Sequence, residues 1–308
     1  MSAATFYASG KLLLSSEYFI LDGAQGLAIP SVYGQRMEAT NLQTHSNKLS
    51  WKAFTSTKTL WLDLVFDKRT LQTTTDSKEA KMLSLILQKI REQQPDFLLN
   101  DNDIEVATYL EFPNAWGLGS SSTLLACLAQ WINIDWYTLL KETIGGSGYD
   151  VACGLAKTPV LYSIEAGRPV VKSVVFQPEF SEQLYFAYLG KKQLSSQGIQ
   201  HYKDKAQDKA AIALQLSAIT TAMLNCNELN AFETLLEEHE YIISNALGME
   251  RVQQSIFPDY WGKVKSLGAW GGDFVLLTNN RTEKELRDYL QQKNIDVVFS
   301  FSELILKS

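Results

Sequence analysis

Apolar and polar positions alternate along much of the N-terminal part of the chain, a pattern typical of strands with one buried face. We predict five strands there, at 5–14, 27–32, 35–44, 48–54 and 60–66. Between 77 and 94 apolar residues recur every three or four positions, which predicts an amphipathic helix. A strand at 104–112, a helix from 124 onward and two strands at 158–164 and 169–176 complete this part of the chain.

The order of predicted elements changes after Pro178. A polar stretch that contains this proline separates two strands, so we expect a domain boundary there and two domains, 1–178 and 179–308. The second domain is predicted to have a strand at 184–190, helices at 207–225 and 230–247, strands at 265–270 and 273–278, a helix at 283–293 and a strand at 295–301. This order predicts an α+β fold with helices on one face of an antiparallel sheet.

Composition excludes several classes of protein. The 308 residues are 45% hydrophobic and carry a net charge of −6, which is typical of a globular chain and argues against binding to nucleic acid. The three cysteines are widely spaced, as expected of free thiols in a reducing compartment. No run reaches the roughly 18 apolar residues of a membrane helix. We therefore expect a cytoplasmic protein that engages neither nucleic acid nor a membrane.

The stretch PNAWGLGSSST, from Pro113 to Thr123, lies between a predicted strand and a predicted helix. Gly117 and Gly119 leave the backbone open to a ligand, and the three serines that follow supply hydroxyls. The first-turn amides of the helix add donors for a bound anion. Glycines and serines also form ordinary turns and caps, so the loop alone leaves both interpretations open.

Common nucleotide and metal motifs do not fit this chain. A Walker loop is absent because Leu12 follows Gly10-Lys11, and a dinucleotide fingerprint is weak because Ser122 occupies the third glycine position. The three histidines show no metal-ligand spacing with the cysteines.

Three segments together resemble the GHMP kinases, the family named for galactokinase, homoserine kinase, mevalonate kinase and phosphomevalonate kinase. PNAWGLGSSST resembles the phosphate-binding signature Pro-x3-Gly-Leu-Gly-Ser-Ser, GKLLLSSEYFILDGAQGLAIP resembles the first motif, and KSLGAWGGDFVLL resembles the third, glycine-rich motif. They follow the family's order over residues 10–277. The resemblance implies an ATP-binding domain at 1–178 like the second domain of ribosomal protein S5, a ferredoxin-like domain at 179–308, and an active site between them.

The resemblance also implies ATP and Mg²⁺ as cofactors of a small-molecule kinase. The ATP phosphates would be held by the loop residues Pro113, Trp116, Gly117, Leu118, Gly119, Ser120, Ser121 and Ser122. Ser121 is the preferred Mg²⁺ ligand, although it is also suited to capping the helix. Glu142 is a second candidate metal ligand, at a shorter spacing than in related enzymes.

The segment GGSGYDVACG resembles the Ser-Gly-x-Asp segment of mevalonate- and phosphomevalonate-type members. By this resemblance Asp150 accepts the proton of the substrate hydroxyl, and Lys11 pairs with Asp150 and with the transferring phosphate. An aspartate in the first turn of a helix also interacts favourably with the helix dipole, and a lysine can simply open a strand.

The acceptor is expected to be a mevalonate-pathway acid, either mevalonate or 5-phosphomevalonate, with a modest lean toward the latter. The candidate substrate residues are Glu17, Ser147, Lys191, Ser195, Gly271 and Gly272. Lys192, Arg168, Lys203 and Ser196 are further possible contacts for a phosphorylated acid.

Two positions depart from the family pattern. Trp270 stands where members usually carry a small residue, and Ala8-Ser9 precedes Gly10-Lys11 where proline is frequent. An indole at position 270 is suited to narrowing the substrate pocket. For this reason a catalytically silent relative that binds nucleotide stays open as an alternative. A GHMP kinase for another small alcohol or sugar, and the ATP-dependent decarboxylase of the same pathway, also stay open. We expect a monomer or homodimer whose partner is a small-molecule substrate.

Overall fold

The computed structural model describes residues 3–190, 195–205, 208–268, 270 and 273–307. Its elements in chain order are β1 (Ala3–Leu13), β2 (Gly26–Asn41), β3 (Lys48–Phe54), β4 (Leu60–Asp67), α1 (Lys78–Gln93), β5 (Ile104–Leu110), α2 (Ser120–Ile132), α3 (Trp136–Glu142), α4 (Tyr149–Ala156), β6 (Val160–Glu165), β7 (Arg168–Ser173), β8 (Leu184–Tyr188), α5 (Ser195–Lys205), α6 (Lys209–Leu224), α7 (Leu229–Leu247), α8 (Val252–Ser255), β9 (Val264–Ser266), β10 (Phe274–Thr278), α9 (Glu283–Gln292), β11 (Val298–Ser300) and α10 (Phe301–Leu304). The predicted mixed α+β fold is confirmed.

The chain forms two compact units. The first contains residues 3–10, 33–114 and 119–155, and the second contains 11–32, 115–118 and the described residues from 156 onward. Both β1 and β2 therefore contribute residues to each unit. The domain boundary expected after residue 178 stays a prediction.

The first unit is built on a sheet whose strands follow the order β4, β3, β5 and the second part of β2. β3 is antiparallel to β4 and parallel to β5, and residues 35–41 of β2 are antiparallel to β5. Alternate strand residues are buried, as the period of two predicted. Helices α1, α2 and α3 contribute to the same core, which includes Trp51, Phe66, Val106, Leu87 and Leu125.

Two sequence-based expectations about strands were wrong. β2 is one continuous strand, although strands were predicted separately at 27–32 and 35–44. Gly34 does not break it, because the glycine allows the backbone to approach the Ala8 carbonyl closely. The strand predicted at 265–270 ends at Ser266, since Gly268 has a φ of 69° and leaves the extended region.

The second unit has its own antiparallel sheet, with the strand order β11, β8, β10, β9. One hydrophobic core of this unit includes Phe257, Val275, Leu277, Leu286 and Leu290. Residues 26–28 of β2, together with β6 and β7, form further antiparallel pairs in this unit. Helix α5 was not predicted, because its sequence SSQGIQHYKDK has too few apolar positions for a clear helical period.

A cluster of four ionisable side chains is buried in the second unit. Lys265 of β9 forms ion pairs with Glu17 and with Glu240 of α7, where the Lys265 Nζ to Glu240 Oε1 distance is 3.3 Å. Glu17 Oε2 lies 3.2 Å from His239 Nε2, which also accepts a hydrogen bond from the Ser16 backbone N–H. The side chains of Lys265, Glu17 and His239 have no solvent exposure.

Burial determines the charge states within this cluster. It raises the pKa of Glu240 to about 7, an effect that Lys265 opposes and Glu17 reinforces. Burial likewise raises the pKa of Glu17, and it lowers the pKa of His239 well below its usual value, so that the imidazole is neutral. The cluster thus retains a proton on a carboxyl group more readily than exposed glutamates do.

Among the helices that the structure describes, none combines the length and apolarity needed to cross a membrane.

We predict that the contribution of Glu240 to stability falls as pH rises through the neutral range, whereas the contribution of His239, whose pKa is lowered on folding, rises with pH up to about 6.5. Glu240 has a higher pKa in the folded state than in the unfolded chain, so its contribution is complete below about pH 4.5 and is lost as pH rises through about 7. The loss is on the order of 2 kcal/mol. Urea unfolding of the wild type and of Glu240→Gln at several pH values between 5 and 8 measures it as the difference in unfolding free energy between the two proteins, since the His239 contribution is common to both. We expect the wild type to lose about 2 kcal/mol more than the variant between pH 5 and 8.

The matched control is Glu238→Gln, which changes an exposed glutamate on the same helix. It should keep the pH dependence of the wild type. Equal slopes for Glu240→Gln and the wild type would show that Glu240 does not hold the proton.

Candidate functional site

The glycine-serine loop has a backbone that few residues other than glycine adopt. A short 3₁₀ helix, Asn114–Trp116, is followed by Gly117 and Gly119 with φ values of 67° and 93°. Gly119 is the N-cap of α2 and has no side chain with which to cap it. The sequence therefore produces a helix N-terminus suited to an external anion.

The three serines behave differently from one another. The Ser120 hydroxyl donates to Asn114 Oδ1 at 2.6 Å, and the Ser122 hydroxyl donates to the Gly119 carbonyl at 2.9 Å. Ser121 is exposed in the first turn of α2. Of the three, Ser121 is thus the one that the loop leaves at the surface, although its role as a metal ligand stays a prediction.

Lys11 is attached to this loop at two points. Its Nζ donates to the Gly117 carbonyl at 2.8 Å, and its backbone N–H donates to the Leu118 carbonyl at 3.1 Å. Lys11 is buried, and Leu118 has no solvent exposure. The first and second sequence motifs therefore meet through Lys11, which places a positive charge directly on the glycine loop.

Trp116 holds the other side of the loop through aromatic contacts. Its ring centroid lies 5.3 Å from that of Phe299, 6.0 Å from Phe274 and 6.5 Å from Tyr188. These rings belong to β11, β10 and the end of β8. An edge-to-face arrangement, as Trp116 has with Phe274 and Phe299, is the favoured geometry of aromatic pairs. Trp116 is thus an anchor of the loop.

Asp150 lies in the first turn of α4, in the first unit. Its Oδ1 accepts a hydrogen bond from the Val151 backbone N–H at 3.0 Å, and its side chain is half-buried. Gly154, one turn later on the same helix face, is so close to the Ser9 carbonyl that a Cβ there would clash with it. The face of α4 that carries Asp150 therefore packs toward β1.

The other candidates of the first unit lie before α4. Gly145, Gly146 and Gly148 all have positive φ values, so the turn that contains Ser147 depends on its glycines. Glu142 is exposed at the end of α3, where its charge acts on Lys89 of α1. Its role as a metal ligand stays a prediction.

Glu17 and Trp270 are both buried in the second unit. Glu17 belongs to the cluster around Lys265, so in this structure its carboxylate contacts protein groups. Trp270 is 3% exposed and packs with Tyr18 and Tyr202, and its backbone N–H donates to the Tyr18 hydroxyl at 3.1 Å. Trp270 is therefore a core residue, which weakens the reason for treating it as a block to activity.

Several candidates for substrate binding lie outside the described residues, namely Lys191, Lys192, Gly271 and Gly272. Ser195 and Ser196 begin α5. Arg168 and Lys203 are exposed, at the start of β7 and in the last turn of α5.

Sequence reasoning missed the buried cluster and the position of Asp273. A signal for the cluster was present, because His239 and Glu240 fall in the helical series Phe232, Leu236, Ile243 and Leu247, whose other members are apolar and buried. The motif KSLGAWGGDFVLL contains Asp273, but no pattern predicted that its carboxylate lies against the Gly117 backbone, 156 positions away in the sequence by subtraction of the two residue numbers.

Comparison with family models and with curated proteins finds no match for this chain. Solved structures do match it over nearly its whole length. Mevalonate kinase of Methanococcus jannaschii has 16% identity and a TM-score of 0.69, with 100% of this chain and 99% of that chain covered. Phosphomevalonate kinase of Streptococcus pneumoniae has 18% identity and a TM-score of 0.68, with 97% and 99% covered.

Galactokinase of Lactococcus lactis has 13% identity and a TM-score of 0.70, with 95% of this chain and 89% of that chain covered. The TM-scores demonstrate a shared fold, and at sequence identities this low the match demonstrates the fold alone. The chain therefore has the fold of the GHMP kinases.

Proposed function

We propose that this protein is an ATP-dependent small-molecule kinase. The observation that carries the proposal is the contact between Lys11 and Gly117, because it joins a buried cation to a glycine loop that leads into a helix N-terminus. Phosphoryl transfer requires groups that stabilise the negative charge on the phosphates, and backbone amides and a fixed ammonium are such groups. The fold comparisons support the same reaction class.

We propose a role for each residue that the sequence motifs single out. The backbone of residues 116–121 binds the ATP phosphates, and Lys11 neutralises charge on the transferring group. The acceptor is a hydroxyl in mevalonate and the phosphate in 5-phosphomevalonate, and Asp150 accepts the proton of the hydroxyl or of the monoprotonated phosphate. A bond then forms between the acceptor oxygen and the γ-phosphorus while the bond from that phosphorus to the bridging oxygen breaks, and ADP leaves with the electron pair.

The residues present suit Mg²⁺, which prefers hard oxygen ligands and, when bound, neutralises phosphate charge. Ser121 offers an exposed hydroxyl at the loop, and Glu142 offers an exposed carboxylate. The chain thus has the oxygen donors that this cation requires.

The proposed acceptor is mevalonate or 5-phosphomevalonate. Support comes from the Gly-Tyr-Asp segment at 148–150 and the Gly-Gly-Asp at 271–273, which resemble the phosphomevalonate kinase branch. The matched phosphomevalonate kinase was solved with phosphomevalonate and AMPPNP. We further propose that the two domains, 1–178 and 179–308, are of the S5 and ferredoxin-like types, in a cytoplasmic monomer or homodimer.

We expect ADP release from ATP and Mg²⁺ with mevalonate or 5-phosphomevalonate, and none with galactose or homoserine. In Asp150→Asn we expect a loss of at least about 100-fold in kcat, because general-base catalysis contributes about that much. A coupled assay for ADP measures both.

Nucleotide affinity separates this result from misfolding, since Asp150→Asn should bind ADP like the wild type. Turnover with galactose alone would assign another substrate. ADP binding without turnover on any acceptor would contradict the kinase proposal and favour the silent relative.

We expect Gly117→Ala to weaken ADP binding at least about tenfold. Alanine at a φ of 67° costs roughly 1 kcal/mol, and its Cβ would overlap the Asp273 carboxylate, so the loop must move. The control is Gly167→Ala, since Gly167 has a φ of 77° and its Cβ would meet no atom within 4 Å. Isothermal titration with ADP compares the two, and equal affinities would show that the loop conformation is unimportant for binding.

A further inference from the structure

Helix α6 presents an uncharged side to solvent. After Lys209 its sequence AAIALQLSAITTAML contains no acidic or basic residue. One side of the helix is buried in the second unit. The opposite side is exposed and spans about 100° of the helix at 3.6 residues per turn. We call it the α6 face, and its members are Ala211, Leu214, Ala218, Thr221, Ala222 and Asn225.

The composition of the α6 face is that of a contact surface. Leu214 is 74% exposed, more than any other large hydrophobic side chain that the structure describes. Helix α9, by contrast, carries ion pairs on its exposed side, Lys284 with Asp288 and Arg287 with Glu283. A helix that is apolar all round is normally buried all round. The α6 face therefore has the character of a surface that another molecule covers.

The polar side chains of the α6 face form hydrogen bonds within the chain. The Thr221 hydroxyl donates to the Ser217 carbonyl at 3.0 Å, and the Asn225 side-chain amide donates to the Thr221 carbonyl at 2.8 Å. Burial of a polar group is costly mainly when its hydrogen bonds are lost. A partner can therefore cover the α6 face at little cost in desolvation.

The shape of the α6 face is complementary to itself. Leu214, Ala218 and Ala222 follow one another at intervals of four residues, so they lie in one row along the helix. In an antiparallel pair of α6 helices with a twofold axis at Ala218, Leu214 of each copy lies opposite Ala222 of the other. A projecting side chain then meets a short one on both sides of the axis, which permits close packing of the two helices.

We propose that the α6 face is the surface through which two copies of this chain form a twofold-symmetric dimer. Such a dimer requires one surface that is complementary to itself. Each chain carries a net charge of −6, and the uncharged α6 face lets two such chains meet without opposing like charges. Helices that lie on membranes carry Lys and Arg along their polar side, which α6 lacks after Lys209. The inference concerns assembly and does not depend on the proposed catalytic function.

Sedimentation equilibrium of the full chain over the micromolar range tests the dimer. One helix pair is a small interface, so we expect a dissociation constant on the order of 10 µM. In Leu214→Glu we expect this constant to rise at least about 100-fold, because two carboxylates would be buried against apolar groups. The changed side chain is exposed, so the fold should be retained, and far-UV circular dichroism checks this. Val175→Glu changes a residue that is 71% exposed in the same unit, and this matched control should dimerise like the wild type.

Cross-linking with bismaleimidoethane tests the antiparallel arrangement. Ala218→Cys places a thiol at the proposed axis, and we expect efficient cross-linking of the two copies. Ala211→Cys is the matched control, since two residues 211 would lie about 21 Å apart along the helices at 1.5 Å per residue. Both variants also carry Cys226→Ser, because Cys226 is partly exposed.

Four outcomes would overturn the inference. A wild type that stays monomeric throughout the micromolar range would rule out the dimer, and a dimer that persists unchanged in Leu214→Glu would rule out the α6 face. Equal cross-linking at 211 and 218 would rule out the antiparallel arrangement. A monomer that binds vesicles of phosphatidylcholine and phosphatidylserine, and loses this binding in Leu214→Glu, would assign the α6 face to a membrane surface.

Discussion

The second unit depends on the interaction between the buried ammonium of Lys265 and the polar groups that surround it. Transfer of a charge from water into a protein interior costs several kcal/mol, which only close partners offset. Here two carboxylates and the Ser266 carbonyl surround the ammonium, and a neutral imidazole completes the cluster. The cluster brings together the segment that follows β1, the middle of α7 and strand β9. These parts are distant in sequence, so loss of one partner leaves the others buried without compensation.

The glycine loop is under a different constraint, which is steric. Its backbone needs positive φ at Gly117 and Gly119, and its surroundings leave no space for a side chain at Gly117. Such a loop keeps its shape only if its neighbours hold it, and Lys11 and Trp116 do so from two directions. A preformed loop of this kind reorganises little when an anion binds. Such preorganisation is the condition for effective electrostatic stabilisation.

The buried cluster and the loop are connected through short stretches of chain. Lys11 precedes Glu17 by six positions and Lys265 precedes Asp273 by eight, by subtraction of their residue numbers. The ion cluster thus fixes the segments from which the groups beside the loop emerge.

The sequence by itself determined the secondary structure of the long periodic segments and the identity of the glycine loop. Helices α1 and α7 and strand β3 were predicted closely, because amphipathic periodicity reflects which face of an element is buried, and a core enforces it locally. The loop was recognisable because special backbone angles require glycine at particular positions. Tertiary structure alone decided that β2 continues through Gly34, that Trp270 lies in a core, that Glu17 pairs with Lys265, and that Asp273 lies against Gly117. Such facts depend on which residues meet across long stretches of sequence, and no local pattern encodes the partner of a buried charge.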